Sequence, residues 1–443
     1  MSVSTRVIPD VVNLKQLYLS SPKVYPFLLE SVARDDTVQA FSILFAFPQS
    51  SISCQTAAQA EDFFTAMEAA WQNERQADIA SSQLPFTGGW FVFLGYEVLK
   101  AIEPAVVCHD FPFEYPLAFA SRCPAAVIVD HCNMQTILVT ENEHHHLDQM
   151  AADIEQLASA SQSASFDIAV SEDASRSYEN GVNRILEYIR AGDVFQVNLS
   201  RAWQGRLSGE LDSISLYESL CRNNPAPFAC LIHHQQGDII GSSPERLVRS
   251  RQGWAEVRPI AGTRPRSGNE QDQQWLHELR TDHKELAEHV MLIDLERNDL
   301  GKICVPGSIE VNELMTLESY AYVHHIVSNI RGKLREDVSP VGVLKAVFPG
   351  GTITGCPKVR CMEIIAELES EGRGPYTGSV GYINRDGSLD FNILIRSLFR
   401  QGEHLHFRAG AGIVNDSIAS RELEETRHKA KGLLKALQAL QPG

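Results

Sequence analysis

Strand-like and helix-like patterns follow one another in this chain without strict alternation. Residues 85–96 form an apolar run entered by a glycine turn, and residues 125–130 and 136–140 form a predicted hairpin. Residues 178–191 have helical apolar periodicity and precede Gly192, a common helix-ending residue. A doubly wound sheet needs strands and helices in alternation, whereas this order is typical of α+β proteins. The sequence therefore predicts an α+β fold.

Two longer helices are predicted in the second half of the chain. The first covers residues 280–300, with Leu286, Val290 and Ile293 on its core side and Gly301 at its end. The second covers residues 417–440, and its inward positions are Leu423, Ala430, Leu433, Leu437 and Leu440.

Composition predicts where the chain divides. Residues 141–175 contain three consecutive histidines and a Ser/Ala-rich stretch, which indicates a linker. We therefore expect an N-terminal region at residues 1–140 and a second domain at residues 176–440.

Charge restricts the kind of partner. The 443 residues carry a net charge of −17, which argues against nucleic acid or an anionic membrane surface. No apolar run reaches the ~18 residues that span a bilayer, and the N-terminus shows no secretory signal. The nine cysteines are scattered without the spacing of a zinc or disulfide framework. We expect reduced cysteines and a cytoplasmic protein.

Two pairs of glutamates stand out, each with a spacing of three residues on a predicted helix. Glu285 and Glu288 form the first pair, and Glu422 and Glu425 form the second. Residues three apart share one helical face, so the two charges repel each other unless a cation neutralises them. Carboxylate oxygens suit Mg²⁺. The pairs predict either a magnesium site or two acidic helix faces in solvent.

Four loops are rich in glycine or proline, at residues 242–245, 258–266, 348–358 and 408–413. Glycines allow the backbone to approach an anion and to point N–H groups at it. The third loop is not a P-loop, because Cys356 and Pro357 stand between Gly355 and Lys358. Each loop taken alone is more typical of a turn than of a binding site.

Together, these loops resemble the chorismate-utilising enzymes, which include anthranilate synthase component I, aminodeoxychorismate synthase component I and isochorismate synthase. The matching segments occur in order between residues 177 and 437: SSPE, PIAGTRPR, EHVMLIDLERNDLG, YVHHIVSNI, FPGGTITGCPKVRCMEII, GPYTGSVGYI, ILIRSL, RAGAGIV and ELEETRHKA. A weaker match, YPFLLES at 25–31 and GGW…LGY at 88–96, resembles the family's N-terminal region. The resemblance implies a large two-layer β-sandwich of antiparallel sheets with helices packed outside.

The resemblance also implies a substrate and a Mg²⁺ cofactor. Chorismate is a dianion whose ring hydroxyl must leave, which requires an acid at the hydroxyl and a cation at the ring carboxylate. The family pattern places Mg²⁺ on Glu288 and Glu425, with Glu285 and Glu422 as direct or water-mediated partners. It implies Glu245 as the general acid, with a pKa raised by burial.

The same pattern implies the other site residues. Those expected to bind the enolpyruvyl carboxylate are Arg396, Tyr376, Lys429 and the amides of Gly410 and Gly412. Those expected to line the ring are Gly262, Thr263 and Thr352, of which Thr352 joins the catalytic group. His325 is expected near the reacting carbons, or else is a core histidine. Lys429 lies one turn beyond Glu425, so a simple helix salt bridge is its alternative role.

Within this family, two motifs favour the aminodeoxychorismate synthase component I subfamily. GGTITG at 350–355 and GSVGYINRDG at 378–387 resemble that subfamily. Ala261 argues the other way, because some of these synthases carry there a lysine that attacks the ring. The expected reaction converts chorismate and ammonia to 4-amino-4-deoxychorismate, and anthranilate is the alternative product.

The resemblance implies a partner and a second ligand. No cysteine lies in a glutaminase-like motif, so a glutamine amidotransferase subunit is the expected source of ammonia. LLES at 28–31 and NPAPF at 224–228 resemble the family's tryptophan pocket, with Ser31, Pro227 and Phe228 as lining. Ser31 is alternatively a helix cap or turn residue. Two other hypotheses are a catalytically silent paralogue, which Ala261 favours, and an isochorismate synthase, for which no clear lysine base is found.

Overall fold

A computed structural model of the chain describes residues 3–32, 40–76, 83–141, 144–157, 166–209, 211–235, 237–266, 268–269, 271–319 and 323–440. The strands in these residues are β1 (Val3–Ile8), β2 (Phe27–Glu30), β3 (Phe41–Ala46), β4 (Ser51–Cys54), β5 (Gly89–Leu94), β6 (Ala118–Cys123), β7 (Ala125–Asp130), β8 (Gln135–Glu141), β9 (Phe166–Glu172), β10 (Gln196–Gly209), β11 (Phe228–His234), β12 (Gly237–Ser243), β13 (Arg246–Arg251), β14 (Trp254–Val257), β15 (Ile260–Pro265), β16 (Glu310–Ser319), β17 (Val323–Lys333), β18 (Gly355–Cys356), β19 (Ser379–Asn384), β20 (Leu389–Asn392), β21 (Ser397–Gln401) and β22 (His404–Ile413). The α-helices are α1 (Leu14–Ser20), α2 (Ala60–Glu74), α3 (His144–Glu155), α4 (Ser175–Ala191), α5 (Ser213–Asn223), α6 (Gln271–Thr281), α7 (His283–Gly301), α8 (Pro340–Val347), α9 (Lys358–Leu368) and α10 (Ala419–Gln438).

These strands form two large sheets. The twelve-stranded sheet has the order β1-β8-β7-β3-β2-β11-β12-β21-β22-β10-β18, with β9 also paired to β10. The ten-stranded sheet has the order β15-β17-β14-β13-β20-β19-β5-β6-β4, with β16 also paired to β17. Neighbouring strands run antiparallel, as in the pairs β10–β22 and β5–β19. Strands from both ends of the chain therefore meet in each sheet.

The inner faces of the two sheets share one aromatic core. Phe27 of the larger sheet stacks on Phe91 of the smaller sheet, with ring centroids 4.1 Å apart and planes 8° apart. Phe45 meets Phe86 and Phe91 edge to face, at 4.8 and 5.3 Å. Offset and edge-on pairs of this kind add stabilisation beyond the burial of area. The aromatic side chains thereby fix the separation of the two sheets.

Helices cover the outer faces. Phe63 and Trp71 of α2 and Val343 of α8 pack in the outer core of the smaller sheet. Leu220 of α5 and Leu433 of α10 pack in that of the larger sheet. Helices α2 and α10 each bury one apolar stripe and leave the other side to solvent, whereas α8 is buried on most of its surface. The predicted α+β sandwich with helices outside is confirmed.

Local predictions are confirmed in part. The predicted hairpin is β7–β8, and α4 ends at Gly192, whose φ of 83° is the left-handed conformation that glycine adopts readily. The single helix predicted at 280–300 is wrong, because α6 ends at Thr281 and α7 begins at His283. Asp282 separates them, and its Oδ1 accepts from the Glu285 N–H at 3.3 Å, as at a helix N-terminus.

The core side predicted for that helix also needs correction. Val290 is 49% exposed, whereas Ile293 is only 6% exposed. The inward side of α7 carries His289, Leu292, Ile293 and Glu296, all buried. Two of these four residues are polar, so apolar periodicity placed Ile293 correctly on the inward side but Val290 wrongly.

A helix and a strand lie within residues 141–175, where composition predicts a linker. Leu147 and Met150 of α3 are buried, and β9 extends the larger sheet along β10. The division of the chain into two domains stays a prediction. No helix in the described parts of the chain combines the length and apolar character needed to cross a bilayer.

We expect Phe91→Ala to lower the free energy of unfolding by about 3–5 kcal/mol, because it leaves a cavity between the sheets. The measurement is the urea midpoint followed by fluorescence and circular dichroism. Phe195→Ala is the control, since Phe195 is 68% exposed, and we expect a change within about 0.5 kcal/mol. Equal effects of the two substitutions would contradict this account of the core.

Candidate functional site

Glu245 is a buried acid at the end of β12. It is 7% exposed, and its backbone N–H donates to Ser243 Oγ at 3.2 Å while its carbonyl accepts from the Ile393 N–H at 3.0 Å. Burial raises the pKa of Glu245 to about 7, against the opposing effects of the Thr352 hydroxyl, Lys429 and Arg396. A carboxyl of this pKa can hold a proton at neutral pH and release it to a substrate.

Arg396 lies in the turn between β20 and β21, beside that acid. Its backbone φ is 50°, which is unusual for a residue with a side chain and points to a local constraint. Burial lowers the pKa of its guanidinium, and Glu245 opposes this effect. The guanidinium donates to Asn224 Oδ1 at 3.4 Å, a long hydrogen bond. A half-buried guanidinium with such weak partners can donate hydrogen bonds to a ligand carboxylate.

His325 faces the same region from β17. Its Nδ1–H donates to the Gly262 carbonyl at 3.4 Å. Burial lowers the pKa of His325 to about 4, and Arg396 adds to the effect, so the imidazole is neutral at pH 7. With Nδ1 as donor, Nε2 is left as the ring acceptor.

Gly262 produces a bulge opposite His325. Its φ is 62°, and the β15–β17 register shifts between Ala261 and Thr263. A Cβ at Gly262 would lie 2.9 Å from Leu279 Cδ2 and 3.3 Å from Glu285 Oε2. Only glycine fits here without displacement, and this brings the backbone against α7. The Thr263 side chain lies outside the described residues.

A tightly packed wall of glycines and amide side chains is formed by β22 and β10. A Cβ at Gly410 would lie 2.6 Å from Asn198 Oδ1 and 2.9 Å from Tyr376 Oη, and the Gly410 N–H donates to that hydroxyl. A Cβ at Gly412 would lie 2.2 Å from Gln196 Nε2. Gly410 therefore leaves no room for a side chain, whereas a side chain at position 412 would require the flexible Gln196 side chain to move.

Two residues of this wall were missed by the sequence analysis. Gln196 Oε1 and Asn198 Oδ1 are buried without a hydrogen-bond partner in the described part of the chain. Such orphaned acceptors are rare in native structures and mark a place for a donor from a ligand or water. The available signal was the alternation of polar residues at 196, 198 and 200 in a strand.

The two glutamate pairs lie on α7 and α10 beside these groups. Glu285 Oε1 accepts from Arg264 Nη1 at 3.3 Å, and Glu425 Oε1 from Lys429 Nζ at 2.8 Å. The second contact is the helix salt bridge that was the alternative role of Lys429. Glu288 is half-buried and Glu422 is 8% exposed.

The donor chemistry of these glutamates suits Mg²⁺, but they do not form a ready metal site. Among the described residues, no three His, Cys, Asp or Glu side chains lie close enough together to bind a metal ion. A cation would have to compete with Arg264 and Lys429 for carboxylate oxygens.

The residues of the predicted tryptophan pocket line one cavity. Ser31, Pro227 and Phe228 lie on a cavity of about 1100 Å³ between the sheets, together with Arg246 and Asn392. Arg246 lies over the Phe228 ring at 5.0 Å and pairs with Asp390 at 2.8 Å. Pro244 reaches this cavity, so it borders the loop that carries Glu245.

A buried ion network supports the wall and the Tyr376 loop. Glu369 Oε1 pairs with Arg373 Nη2 at 2.7 Å, and Glu369 Oε2 pairs with Arg408 Nη2 at 3.0 Å. Burial alone would raise the pKa of Glu369, but the two guanidiniums hold it below its ordinary value. Arg373 also donates to the Asn198 and Ile353 carbonyls, at 2.8 and 3.1 Å. The network thus ties β10, β22 and the 350–354 loop together.

Residues 26–435 match the protein family described as chorismate binding enzyme, and the chain belongs to this family. The anthranilate synthase component I-like protein of Synechocystis sp. is 44% identical over 362 residues, which are 81% of this chain and 74% of that protein. Aminodeoxychorismate synthase component 1 of Bacillus subtilis is 38% identical over 369 residues, 80% of this chain and 77% of that protein. The crystal structure of anthranilate synthase component I from Streptococcus pneumoniae has a TM-score of 0.78 and 29% identity, covering 90% of this chain and 93% of that one.

We expect Glu369→Gln to lower the free energy of unfolding at pH 7 by about 3–5 kcal/mol, because it leaves the buried Arg373 guanidinium without its carboxylate and Arg408 with only Glu371. Since the pKa of Glu369 is lowered in the folded state, this contribution is present at neutral pH and is lost as pH falls through that lowered pKa. Urea denaturation between about pH 3 and pH 7 measures both effects.

Glu367→Gln is the matched control for this prediction. It makes the same chemical change two residues away on a side chain that is 46% exposed, and we expect little change in stability. A loss of stability in Glu367→Gln as large as that in Glu369→Gln would show that the buried network is not the cause.

Proposed function

We propose that the chain is an aminodeoxychorismate synthase component I, which converts chorismate and ammonia to 4-amino-4-deoxychorismate and water. The observation that carries this proposal is Glu245, a buried carboxyl with a pKa of about 7 that is attracted by Arg396 and Lys429. An acid flanked by two cations suits a substrate with two carboxylates and a hydroxyl that must leave.

The residues of the site have separate roles in this proposal. Arg396 and Lys429 attract the carboxylates, and the Tyr376 hydroxyl and glycine wall position the enolpyruvyl group. Glu245 gives its proton to the ring hydroxyl, whose C–O bond breaks to release water. The neutral His325, with Nε2 as acceptor, can accept a hydrogen bond near the ring.

Magnesium is part of the proposal. When bound, Mg²⁺ would neutralise the ring carboxylate and withdraw electron density from it. Glu288 and Glu425 are the proposed ligands, with Glu285 and Glu422 as direct or water-mediated partners. Without the metal ion, Arg264 pairs with Glu285 and Lys429 pairs with Glu425. These ion pairs reduce the repulsion of Glu285 and Glu425 by the second glutamate of each pair.

A glutamine amidotransferase subunit is the proposed partner. The relatives are named as component I or component 1, which is consistent with a second subunit. The sequence shows no glutaminase-like cysteine motif, so the proposal assigns the supply of ammonia to this subunit.

Ala261 favours a second candidate, anthranilate synthase component I. Ala261 is 9% exposed and pairs with Ile326, so a methyl group stands where some aminodeoxychorismate synthases carry a nucleophilic lysine. Amination must then proceed without a lysine adduct at this position. Two of the three relatives described above carry anthranilate synthase names.

The loop motif distinguishes the two candidates less than its sequence implies. Gly350 stands where the anthranilate form of the motif has alanine, and a Cβ there would lie 2.8 Å from Ile393 Cδ1. The choice between glycine and alanine at position 350 therefore depends on how the loop packs against Ile393, and it need not follow the identity of the product. Product analysis is needed to choose between the candidates.

We expect the purified chain to consume chorismate when it is given Mg²⁺ and ammonium, and to yield p-aminobenzoate after a lyase is added. Liquid chromatography with fluorescence detection separates p-aminobenzoate from anthranilate. Anthranilate as the product would favour the second candidate, and reactions without ammonium provide the control. Chorismate that persists unchanged would favour the catalytically silent paralogue.

We expect Glu425→Gln to reduce kcat/KM by at least about 100-fold and to raise the Mg²⁺ concentration needed for activity, because a proposed ligand is lost. Mg²⁺ titration after chelation measures this effect. Glu424→Gln is the matched control, because Glu424 lies on the same helix, pairs with Arg427 and is similarly exposed. Unchanged activity in Glu425→Gln would contradict the metal assignment.

A further inference from the structure

Glu296 is a second buried acid near Glu245, and the roles proposed above do not use it. It lies on the inward side of α7 and is 6% exposed. The Gly351 N–H donates to its carboxyl group, and a Cβ at Gly351 would lie 3.2 Å from Glu296 Oε1 and 2.4 Å from Leu295 Cδ2. The 350–354 loop is therefore pressed against α7 at this glycine, where only glycine fits.

The same loop connects Glu296 to Glu245. Gly351 contacts Glu296, and the next residue, Thr352, places its hydroxyl beside Glu245. The two carboxyl groups thus lie on either side of one short turn, Gly351–Ile353, and they repel each other when ionised.

Charged groups on both sides of the 350–354 loop act on this pair. Asp299, one turn further along α7, repels Glu296, while Lys358 of α9 attracts it. Lys358 is itself held by Asp299 Oδ2 at 2.7 Å and by the Val347 carbonyl at 2.8 Å. On the other side of the loop, Arg396 and Lys429 attract Glu245.

These surroundings keep protons on the pair at neutral pH. Burial raises the pKa of Glu296 to about 8, with repulsion from Asp299 and Glu245 adding to the rise. Burial raises the pKa of Glu245 to about 7. Two neighbouring buried carboxyls do not ionise independently, so the last proton is retained well above the usual carboxyl range.

We propose that Glu296 is a positioning residue for the acid step: it holds the 350–354 loop and stays neutral while Glu245 gives its proton to the leaving hydroxyl. This inference rests on the proposed function. The Glu245 O–H bond breaks, the proton goes to the ring oxygen, and the C–O electron pair leaves with that oxygen as water. The lone pair of ammonia forms the new bond to the ring, and the surplus proton on that nitrogen is released afterwards. With Glu296 neutral, the step leaves one buried negative charge between Arg396 and Lys429. With Glu296 ionised, it would leave two adjacent carboxylates.

The pH dependence of kcat tests this inference. The wild-type protein needs both carboxyls protonated, so its activity falls steeply as pH rises, with the loss of both protons. In Glu296→Gln the amide is always neutral and its oxygen still accepts from the Gly351 N–H. We expect this variant to retain most of its activity at about pH 6. At high pH its activity should fall with the loss of a single proton, so the alkaline limb of log kcat against pH should be half as steep as in the wild type.

Two further variants complete the design. Glu296→Asp keeps a carboxyl group, so its kcat should again fall with pH as steeply as in the wild type. Glu97→Gln is the matched control, because Glu97 is also buried, also has a pKa raised to about 7 by burial, and also accepts backbone N–H groups. The electrostatic partners of Glu97 are Arg373, Tyr96 and Cys108, and neither Glu245 nor Glu296 is among the main groups that shift its pKa. We therefore expect Glu97→Gln to keep the steep alkaline fall of kcat, even if its maximal kcat changes. A limb in Glu296→Gln as steep as in the wild type would overturn the inference.

Infrared spectroscopy separates this inference from the proposed function. The carbonyl stretch of protonated carboxyl groups can be followed with pH, without substrate or turnover. We expect the wild-type protein to lose this band over a wider pH range than Glu296→Gln, because the two groups repel each other. If the band disappears over the same pH range in the wild type and in Glu296→Gln, the inference is overturned. A failure to consume chorismate would instead overturn the proposed function.

Discussion

The buried pairing of Glu369 with Arg373 and Arg408 is the constraint on which the site region depends. Glu369 is 3% exposed as a side chain, and the two arginines are 1% and 2% exposed. Charged side chains in the protein interior are stable only when each keeps its partner of opposite charge. Glu369, Arg373 and Arg408 therefore cannot move independently. Glu369 Oε1 also accepts from the Ser200 N–H and hydroxyl, at 2.8 and 2.9 Å. The network therefore fixes the backbone of β10 as well as the side chains.

The chain contains buried charges of two different kinds. In the network, carboxylate and guanidinium groups satisfy each other, and the pKa of Glu369 is lowered. Around Glu245, the acid is raised to a pKa of about 7 and Arg396 has only weak partners. The first kind stabilises the structure, whereas the second is stable only if a substrate or a proton completes it. This contrast distinguishes structural from functional charges without reference to any relative.

The sequence predicts the parts of this structure that depend on neighbouring residues. The β7–β8 hairpin and the end of α4 at Gly192 follow from local turn and helix signals. The two-layer arrangement came from ordered motifs that resemble a known family, because periodicity gives strands but not their partners. Glu245 was also reached through its motif, and the burial that gives it a useful pKa is visible only in the structure.

Contacts between residues that are distant in the chain could not be predicted from local sequence patterns. Arg408 Nε meets Ser200 Oγ across 208 residues, and no local pattern marks either as part of an ion network. Glu296 was missed for the same reason, since it has an ordinary place in a helix, and the polar alternation at Gln196 and Asn198 does not show what these side chains face. Val290 was assigned to the core because polar residues on the inward side of α7 break its apolar stripe.

The 350–354 loop is where the stable network and the reactive acids meet. Arg373 holds the Ile353 carbonyl at 3.1 Å and Asn198 Nδ2 donates to the Thr352 carbonyl at 3.3 Å, so the loop is fixed from the side of the larger sheet. On its other side, Gly351 is pressed against α7. A loop held from both directions cannot shift when Glu245 changes its protonation state. Under the proposed function, this loop would help to hold Glu245 in place before substrate binds, as preorganised electrostatic catalysis requires.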